Sequence, residues 1–226
     1  MQTLLLKGIP ASPGIATGSA FLLMEEELVI PNYLSSFELE EARLGQALQK
    51  YKLELSALLA KTPVAEAHLK KMLERLEDSE LLKKTLLKIR QESVNAEYAL
   101  DWAAKEIEKD NTMGDLTSWL LHYLLKKIKN PLEALTSPVI LVARDLTSLS
   151  IAAISSERKK IGGLITELGD QSSYAAMIAS AFDLPAVVGL QQRAALIQAH
   201  DLLALNGTTG EVLVNPGQAE LEKIKA

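Results

Sequence analysis

Two kinds of apolar pattern alternate along this chain. From about Ser35 to Asn130 apolar residues recur at helical spacing, with almost no glycine or proline inside the periodic runs, as in helices that bury one face. Leu44, Leu48, Tyr51, Leu55 and Leu58 form a first stripe, which stops near Lys61-Thr62-Pro63. Thr62 is placed to cap a new helix, with Pro63 at its first position, where a missing N–H is harmless. Leu69, Met72, Leu73 and Leu76 make a second stripe that continues through Leu82, Leu86 and Ile89. Ala96, Ala99, Ala103 and Ile107 make a third, and Leu116, Leu120, Leu124 and Ile128 a fourth. Short connections between the stripes predict four packed helices.

The flanks alternate short β-branched and apolar runs with glycine-containing turns, an α/β pattern. Leu4 to Ile9 and Ile15 to Met24 are expected as strands around the turn Pro10-Ala11-Ser12-Pro13-Gly14. Further strands are expected at Val139–Val142, Gly163–Thr166, Ala186–Val188, Leu202–Leu205 and Glu211–Val214, with helices near 147–157 and 172–182. Neither flank holds enough strands to close a sheet alone. The expectation is one α/β domain built from residues 1–31 and 133–226, interrupted at Pro31 and Pro131 by a four-helix bundle over 32–132.

Composition narrows the function. The apolar runs fall far short of the roughly 20 residues that span a bilayer, so no membrane insertion is expected. Lys7-Gly8-Ile9-Pro10 and Ser12-Pro13-Gly14 interrupt the N-terminal apolar stretches, unlike a secretory signal, and a cytoplasmic setting is expected. There is no cysteine, which excludes disulfides, thiolate zinc sites and thiol catalysis. The net charge is -5, and the region from Ser35 to Asn130 is balanced at 16 acidic and 16 basic residues, so the excess negative charge lies in the flanks. That argues against a nucleic-acid partner. Glu25-Glu26-Glu27 has no second cluster at metal-ligand spacing and reads as a solvated turn, so no metal site is expected. Gly162-Gly163 lacks the spacing of a phosphate loop and reads as a strand start. His68 reads as a solvated or interface residue, His122 as bundle surface, and His200 as preceding a strand.

Several segments, in order, resemble the N-terminal half of Enzyme I of the phosphoenolpyruvate-dependent sugar phosphotransferase system. Lys7-Gly8-Ile9-Pro10-Ala11-Ser12-Pro13-Gly14-Ile15-Ala16-Thr17-Gly18 is similar to that family's opening, and Leu76–Leu81 and Asn95–Ala99 are similar to two of its helix motifs. Val139–Thr147 resembles the strand that leads to its active site. The most specific segment is Gly169-Asp170-Gln171-Ser172-Ser173-Tyr174 with the helix to Ser180 and Asp183-Leu184-Pro185-Ala186-Val187-Val188-Gly189. The family there reads Gly-Gly-Arg-Thr-Ser-His, a helix ending Met-Ala-Arg, and Leu-Pro-Ala-Ile-Val-Gly.

The resemblance implies a swivelling β/β/α phosphohistidine-type domain with an inserted helical bundle that docks a phosphocarrier protein. It places Tyr174 at the position of the phosphate-accepting histidine and leaves Gln171, Ser172, Ser173 and Ser180 as remnants of the phosphate site. Glu80 and Leu81 carry over as partner contacts. No cofactor is implied for this chain, because magnesium and phosphoenolpyruvate belong to a C-terminal barrel that this sequence lacks. A phosphoenolpyruvate-binding domain would act in trans or lie beyond the sequence.

The chemistry of the replaced residues bears on activity. An imidazole with a pKa near 6.5 is largely neutral and nucleophilic at pH 7, whereas a phenol near 10 is ionised to only about a thousandth. Gln171 and Ser180 stand where arginines would pair with phosphate, and Asp170 adds negative charge in place of glycine. Tyr174 is expected as a helix-start aromatic packed on the sheet, and Ser172 or Ser173 as a helix cap. Three readings stay open at this point: a non-catalytic binding module, a phosphoryl-relay domain with a separately encoded barrel, and a structural helical protein without a link to phosphate.

Overall fold

The computed structural model describes residues 3–23, 28–61, 70, 73, 74, 76, 79–107, 111–127 and 130–225. Thr62, Pro63, His68, Leu69, Met72, Glu25-Glu26-Glu27 and Ile128 lie outside the described residues. Those from the two ends, 3–23 and 130–225, form one compact unit, and the described residues between them form another.

The unit made by the ends is an α/β structure on a single eight-stranded sheet. Its strands are β1 (Leu4–Lys7), β2 (Ile9–Ser12), β3 (Ile15–Leu23), β4 (Val139–Ala143), β5 (Ile161–Thr166), β6 (Ala186–Val188), β7 (Leu202–Asn206) and β8 (Glu211–Val214). They are ordered β1-β8-β7-β3-β4-β5-β6-β2. β3, β4, β5 and β6 run parallel in sequence of neighbours, and the other pairs are antiparallel. β3 serves both halves: Ile15–Ser19 pairs with Asn206–Leu202 on β7, and Ser19–Leu23 with Val139–Ala143 on β4. Parallel neighbours need a crossover connection, and for β3 and β4 that crossover is the whole helical unit.

The expected strand from Leu4 to Ile9 is in fact two strands. β1 and β2 sit at opposite ends of the strand order with only Gly8 between them. The sheet therefore curls until its outer strands are joined at Gly8; they do not pair with each other, and each is only four residues long. Leu6, Ala16, Ala20, Ile140, Val142, Ile165, Val187, Leu203, Leu205 and Val212 fill the single interior so enclosed. The hairpin from β7 to β8 closes tightly against the chain start. A Cβ on Gly207 would lie 1.9 Å from the Ser12 carbonyl oxygen.

Three helices complete this unit: Ser148–Ser156, Tyr174–Ala181 and Gln218–Lys225, the last of which the apolar pattern does not announce. The other unit contains, among its described residues, helices α1 (Phe37–Lys61), α2 (Glu80–Glu92), α3 (Ala96–Glu106) and α4 (Asn111–Leu124), so that the three helices above are α5, α6 and α7 in chain order. α2 packs on α3, α3 on α4, and α1 on α4. Trp119 is fully buried beside Tyr51, their ring centroids 4.9 Å apart.

The second stripe differs from expectation. Ser79 has extended backbone and caps α2 by accepting the Leu82 N–H, so the helix starts afresh at Glu80. The buried face is then Leu81, Thr85 and Ile89, while Leu82 and Leu86 are only partly covered. Ile89 is buried as the stripe expects, whereas Leu82 and Leu86 give way to Leu81 and Thr85, one position earlier, because a helix started at a cap takes its phase from the new start.

These environments predict opposite outcomes for one substitution type. Gly45 lies exposed in α1, with nothing within 4 Å of the place a methyl group would take, so Gly45→Ala should stabilise the chain by about 0.5–1 kcal/mol. Gly207→Ala should destabilise it by about 3 kcal/mol or more, because backbone must move. Urea unfolding of both variants is the check.

Candidate functional site

The parallel strands β4, β5 and β6 end at the same side of the sheet, the place where open α/β sheets bind ligands. Three loops leave from there. Beyond β4, Arg144 to Leu146 lead to Thr147, which caps α5 in a reciprocal pairing with Ser150. Beyond β5, Glu167 to Ser172 lead to Ser173 and α6, and beyond β6 the chain turns at Gly189.

Hydrogen bonds continue past the strand ends and bind these loops together. Glu167 N–H donates to the Ala143 carbonyl (3.0 Å) and Leu168 N–H to that of Arg144 (2.9 Å). On the other side, Gly189, Leu190 and Gln191 N–H donate to the carbonyls of Leu168, Thr166 and Glu167. The buried Thr166 hydroxyl donates to the Leu168 carbonyl at 2.6 Å. Gly169 and Gly189 both have positive φ, +104 and +66, and a Cβ on Gly189 would stand 2.7 Å from the Gly169 carbonyl oxygen. Only glycine allows the two loops to approach so closely.

The loop before α6 is organised around Asp170. Its Oδ1 accepts the Ser172 N–H and the Ser172 hydroxyl, each at 2.8 Å, and its carbonyl accepts the Ser173 N–H at 3.1 Å. The Ser172 hydroxyl, then its backbone N–H, hold the Asp170 carboxyl below its ordinary value of 3.8, with a smaller contribution from Ser173 N–H. Ser173 is the cap: extended at φ -65 and ψ 156, it accepts the Ala176 N–H through its hydroxyl (3.3 Å). Tyr174 is the first residue of α6 and is half-buried.

The loop thus brings together Gln171, Ser172, Ser173 and Tyr174, with Gln171 and Ser172 exposed. Ser180 stands apart from them, exposed in the last turn of the same helix, about 9 Å along its axis from Tyr174. Gly169 and Gly189 bound the most specific motif segment and Thr166 ends an expected strand, but nothing in the sequence assigns any of the three a part in joining the loops. Their signal is a small or glycine residue just after a strand run, which many loops share. In the helical unit Glu80 is exposed in the first turn of α2 and pairs with Lys84 at 3.3 Å, whereas Leu81 is 1% exposed and packs inward. His122 Nδ1 lies 2.7 Å from the Ser118 carbonyl, to which it must donate, and His200 is exposed in a turn. Among the described residues there is no group of three His, Asp or Glu side chains that could hold a metal ion, and no helix long and apolar enough to cross a membrane.

Comparison with known proteins agrees with this architecture. Residues 7–112 match the family model for the PEP-utilising enzyme, N-terminal, and residues 135–210 that for the PEP-utilising enzyme, mobile domain. The chain is similar to the phosphoenolpyruvate-protein phosphotransferase of Priestia megaterium, 34% identical over 245 residues that cover 98% of this chain and 41% of the other. The protein of the same name from Geobacillus stearothermophilus is 33% identical over 235 residues, covering 93% and 39%. The chain spans about two fifths of the length of these relatives. Among solved structures, the solution structure of an Enzyme I protein covers 97% of this chain and is itself covered to 96%, with a TM-score of 0.66 and 28% identity. The N-terminal domain of Enzyme 1 - Nitrogen shares the fold, with a TM-score of 0.58 at 21% identity and coverage of 97% and 98%.

The Asp170 turn makes a titration prediction. With its carboxyl depressed in the folded state, its contribution to stability is present above the unfolded value of 3.8 and is lost as pH falls through the lower folded value. In an NMR titration the Asp170 carboxyl should show its midpoint below 3.8, and Ser172→Ala should move it up toward 3.8. A native midpoint at or above 3.8 would show that the turn is not formed.

Proposed function

Because the chain belongs to the PEP-utilising enzyme family, with that family's N-terminal and mobile domains, we propose that it is an Enzyme I N-terminal-type module that no longer accepts phosphate. In this reading Tyr174 holds the position of the acceptor histidine, and the module serves the sugar phosphotransferase system in the cytoplasm as a binding or regulatory partner. Residues 1–31 with 133–226 are then the swivelling phosphohistidine-type domain, and 32–132 the inserted four-helix bundle on which a phosphocarrier docks. The barrel that binds phosphoenolpyruvate and magnesium acts in trans or lies beyond this sequence.

The observation that carries the loss of phosphate transfer is the Asp170 carboxylate. It accepts the Ser172 N–H and hydroxyl, two donors that precede the helix start and that an incoming phosphate could otherwise use. An ionised carboxylate there also repels a phosphate. A phenol adds a second barrier, since it is a weak nucleophile at neutral pH and its ester is a poor phosphate donor. For docking, Glu80 offers an exposed carboxylate, and Leu81 supports its helix from within.

The test uses the full chain with phosphoenolpyruvate, magnesium and a separately expressed phosphoenolpyruvate-binding barrel, read by intact mass. The native chain should gain no phosphate, and Tyr174→His alone should gain it slowly. Adding Asp170→Gly and Gln171→Arg to Tyr174→His removes the internal anion and restores one charge-assisted contact of about 1.5–3 kcal/mol. That change alone corresponds to roughly a tenfold to hundredfold faster transfer, as acid-labile, base-stable phosphate on residue 174. Phosphate on the native chain, or equal rates for the single and triple variants, would overturn the reading. Docking has its own check: a phosphocarrier should bind saturably in a titration, and Glu80→Lys should weaken it about threefold to tenfold.

A further inference from the structure

The helical unit buries charge in an otherwise apolar packing. Glu40 and Glu97 are 0% and 2% exposed, and Arg43 lies between them. Arg43 Nη1 donates to Glu40 Oε2 (2.6 Å) and to the Tyr33 hydroxyl (3.1 Å), and Nη2 donates to Glu97 Oε1 and to the Leu124 carbonyl at the end of α4 (3.3 Å). Glu40 Oε2 also accepts the Ala96 N–H at the start of α3 (2.9 Å). Burial opposes the Arg43 charge, but the hydrogen bond and charge of Glu97, with the charge of Glu40, outweigh it and raise its pKa. The fourth member is Asn95, also fully buried, whose Nδ2 donates to Glu97 Oε2 (2.9 Å) and to the Pro31 carbonyl (3.1 Å). Its Oδ1 accepts the Tyr33 N–H at 3.1 Å.

A buried ion cluster is weak evidence for stability, because apolar residues of the same volume often do as well, and its better-attested use is to fix geometry. What this cluster touches shows which geometry that is. Five of its bonds end on Pro31, Tyr33, Ala96 and Leu124, points that belong to the segment entering the unit and to the ends of α3 and α4. Two further backbone hydrogen bonds follow the same line, Asn95 N–H to the Tyr33 carbonyl (3.1 Å) and Ser35 N–H to the Ser93 carbonyl (2.7 Å), and together they make the bridge between Leu34 and Val94. Apolar burial does not hold the entering segment, since Tyr33 is 46% and Leu34 81% exposed.

We propose that the Glu40, Arg43, Asn95 and Glu97 network is a lock that makes residues 31–35 part of the rigid body of the bundle rather than a free tether. The sequence puts the start of the bundle at residue 32 but shows nothing that holds residues 32–36 ahead of α1 at Phe37. With the lock in place, the bundle begins at Pro31, six residues before its first helix.

Amide hydrogen exchange on the full chain tests this. In the native protein the Tyr33 and Ser35 amides should exchange at least about a hundredfold more slowly than in an unfolded peptide. Asn95→Ala should speed both at least tenfold while Ala47 and Tyr51 in α1 change less. Should Asn95→Ala lose protection throughout the bundle, Glu97→Gln, which keeps the side-chain shape, should show the same selective acceleration. Unprotected Tyr33 and Ser35 amides in the native chain would overturn the proposal. So would equal acceleration at all four amides in Glu97→Gln, which would mean that the network serves helix packing alone.

Discussion

The architecture depends on the pairing of β3 with two partners at once. Its first half holds β7 in antiparallel pairing and its second half holds β4 in parallel pairing, meeting at Ser19. Residues at the start of the chain are thereby joined to strands more than a hundred residues later. The helical unit is the connection that this pairing encloses. A parallel pair tolerates a connection of any length once the register is set, since the entropy of closing a loop grows only slowly with its length. The register itself is set by packing, as Ala16 and Ala20 alternate into the same interior that Ile140, Val142 and Leu205 fill.

From that sheet the candidate site follows almost mechanically. Parallel β4, β5 and β6 deliver three loops to one side, and α5 and α6 begin there, each with a hydroxyl cap. Such a place suits an anion. In this chain the exposed Asp170 carboxylate lies just before one of these starts and is tied by Ser172 to its own loop. The same turn that orders the approach to α6 therefore keeps the Ser172 N–H and hydroxyl on the chain's own carboxylate.

Two different forces hold the helical unit. Its interior is apolar, centred on Leu44, Tyr51, Leu100, Trp119 and Leu120, and needs no special chemistry to assemble. Its entrance is polar and held by few, specific bonds around Arg43 and Asn95. An apolar contact tolerates sliding, whereas a bidentate guanidinium and a doubly bonded amide do not, so the polar network decides where the entering chain lies.

Much of this was legible in the sequence. Apolar runs such as Val139–Val142 and helical stripes such as Leu116, Leu120 and Leu124 reflect burial of both faces or one, and burial is what these patterns record. The helix start at Tyr174 was legible from Ser173, because capping is a local event between residues three apart. By contrast, the division of the first apolar run at Gly8 depends on Gly210, whose carbonyl accepts the Gly8 N–H. The buried phase of α2 depends on a cap at Ser79 that resets the helix, and it turns Leu81 inward. The distance of Ser180 from Gln171 depends on where α6 ends. Nothing in the spacing of Glu40, Arg43 and Glu97 marks them as partners, and only packing α1 against the start of α3 makes them one buried network. Sequence alone determined most of the elements and their caps, since those rest on neighbours a few positions apart. Tertiary structure decided strand order, helix phase and which polar groups meet, since those rest on contacts between residues that the chain keeps far apart.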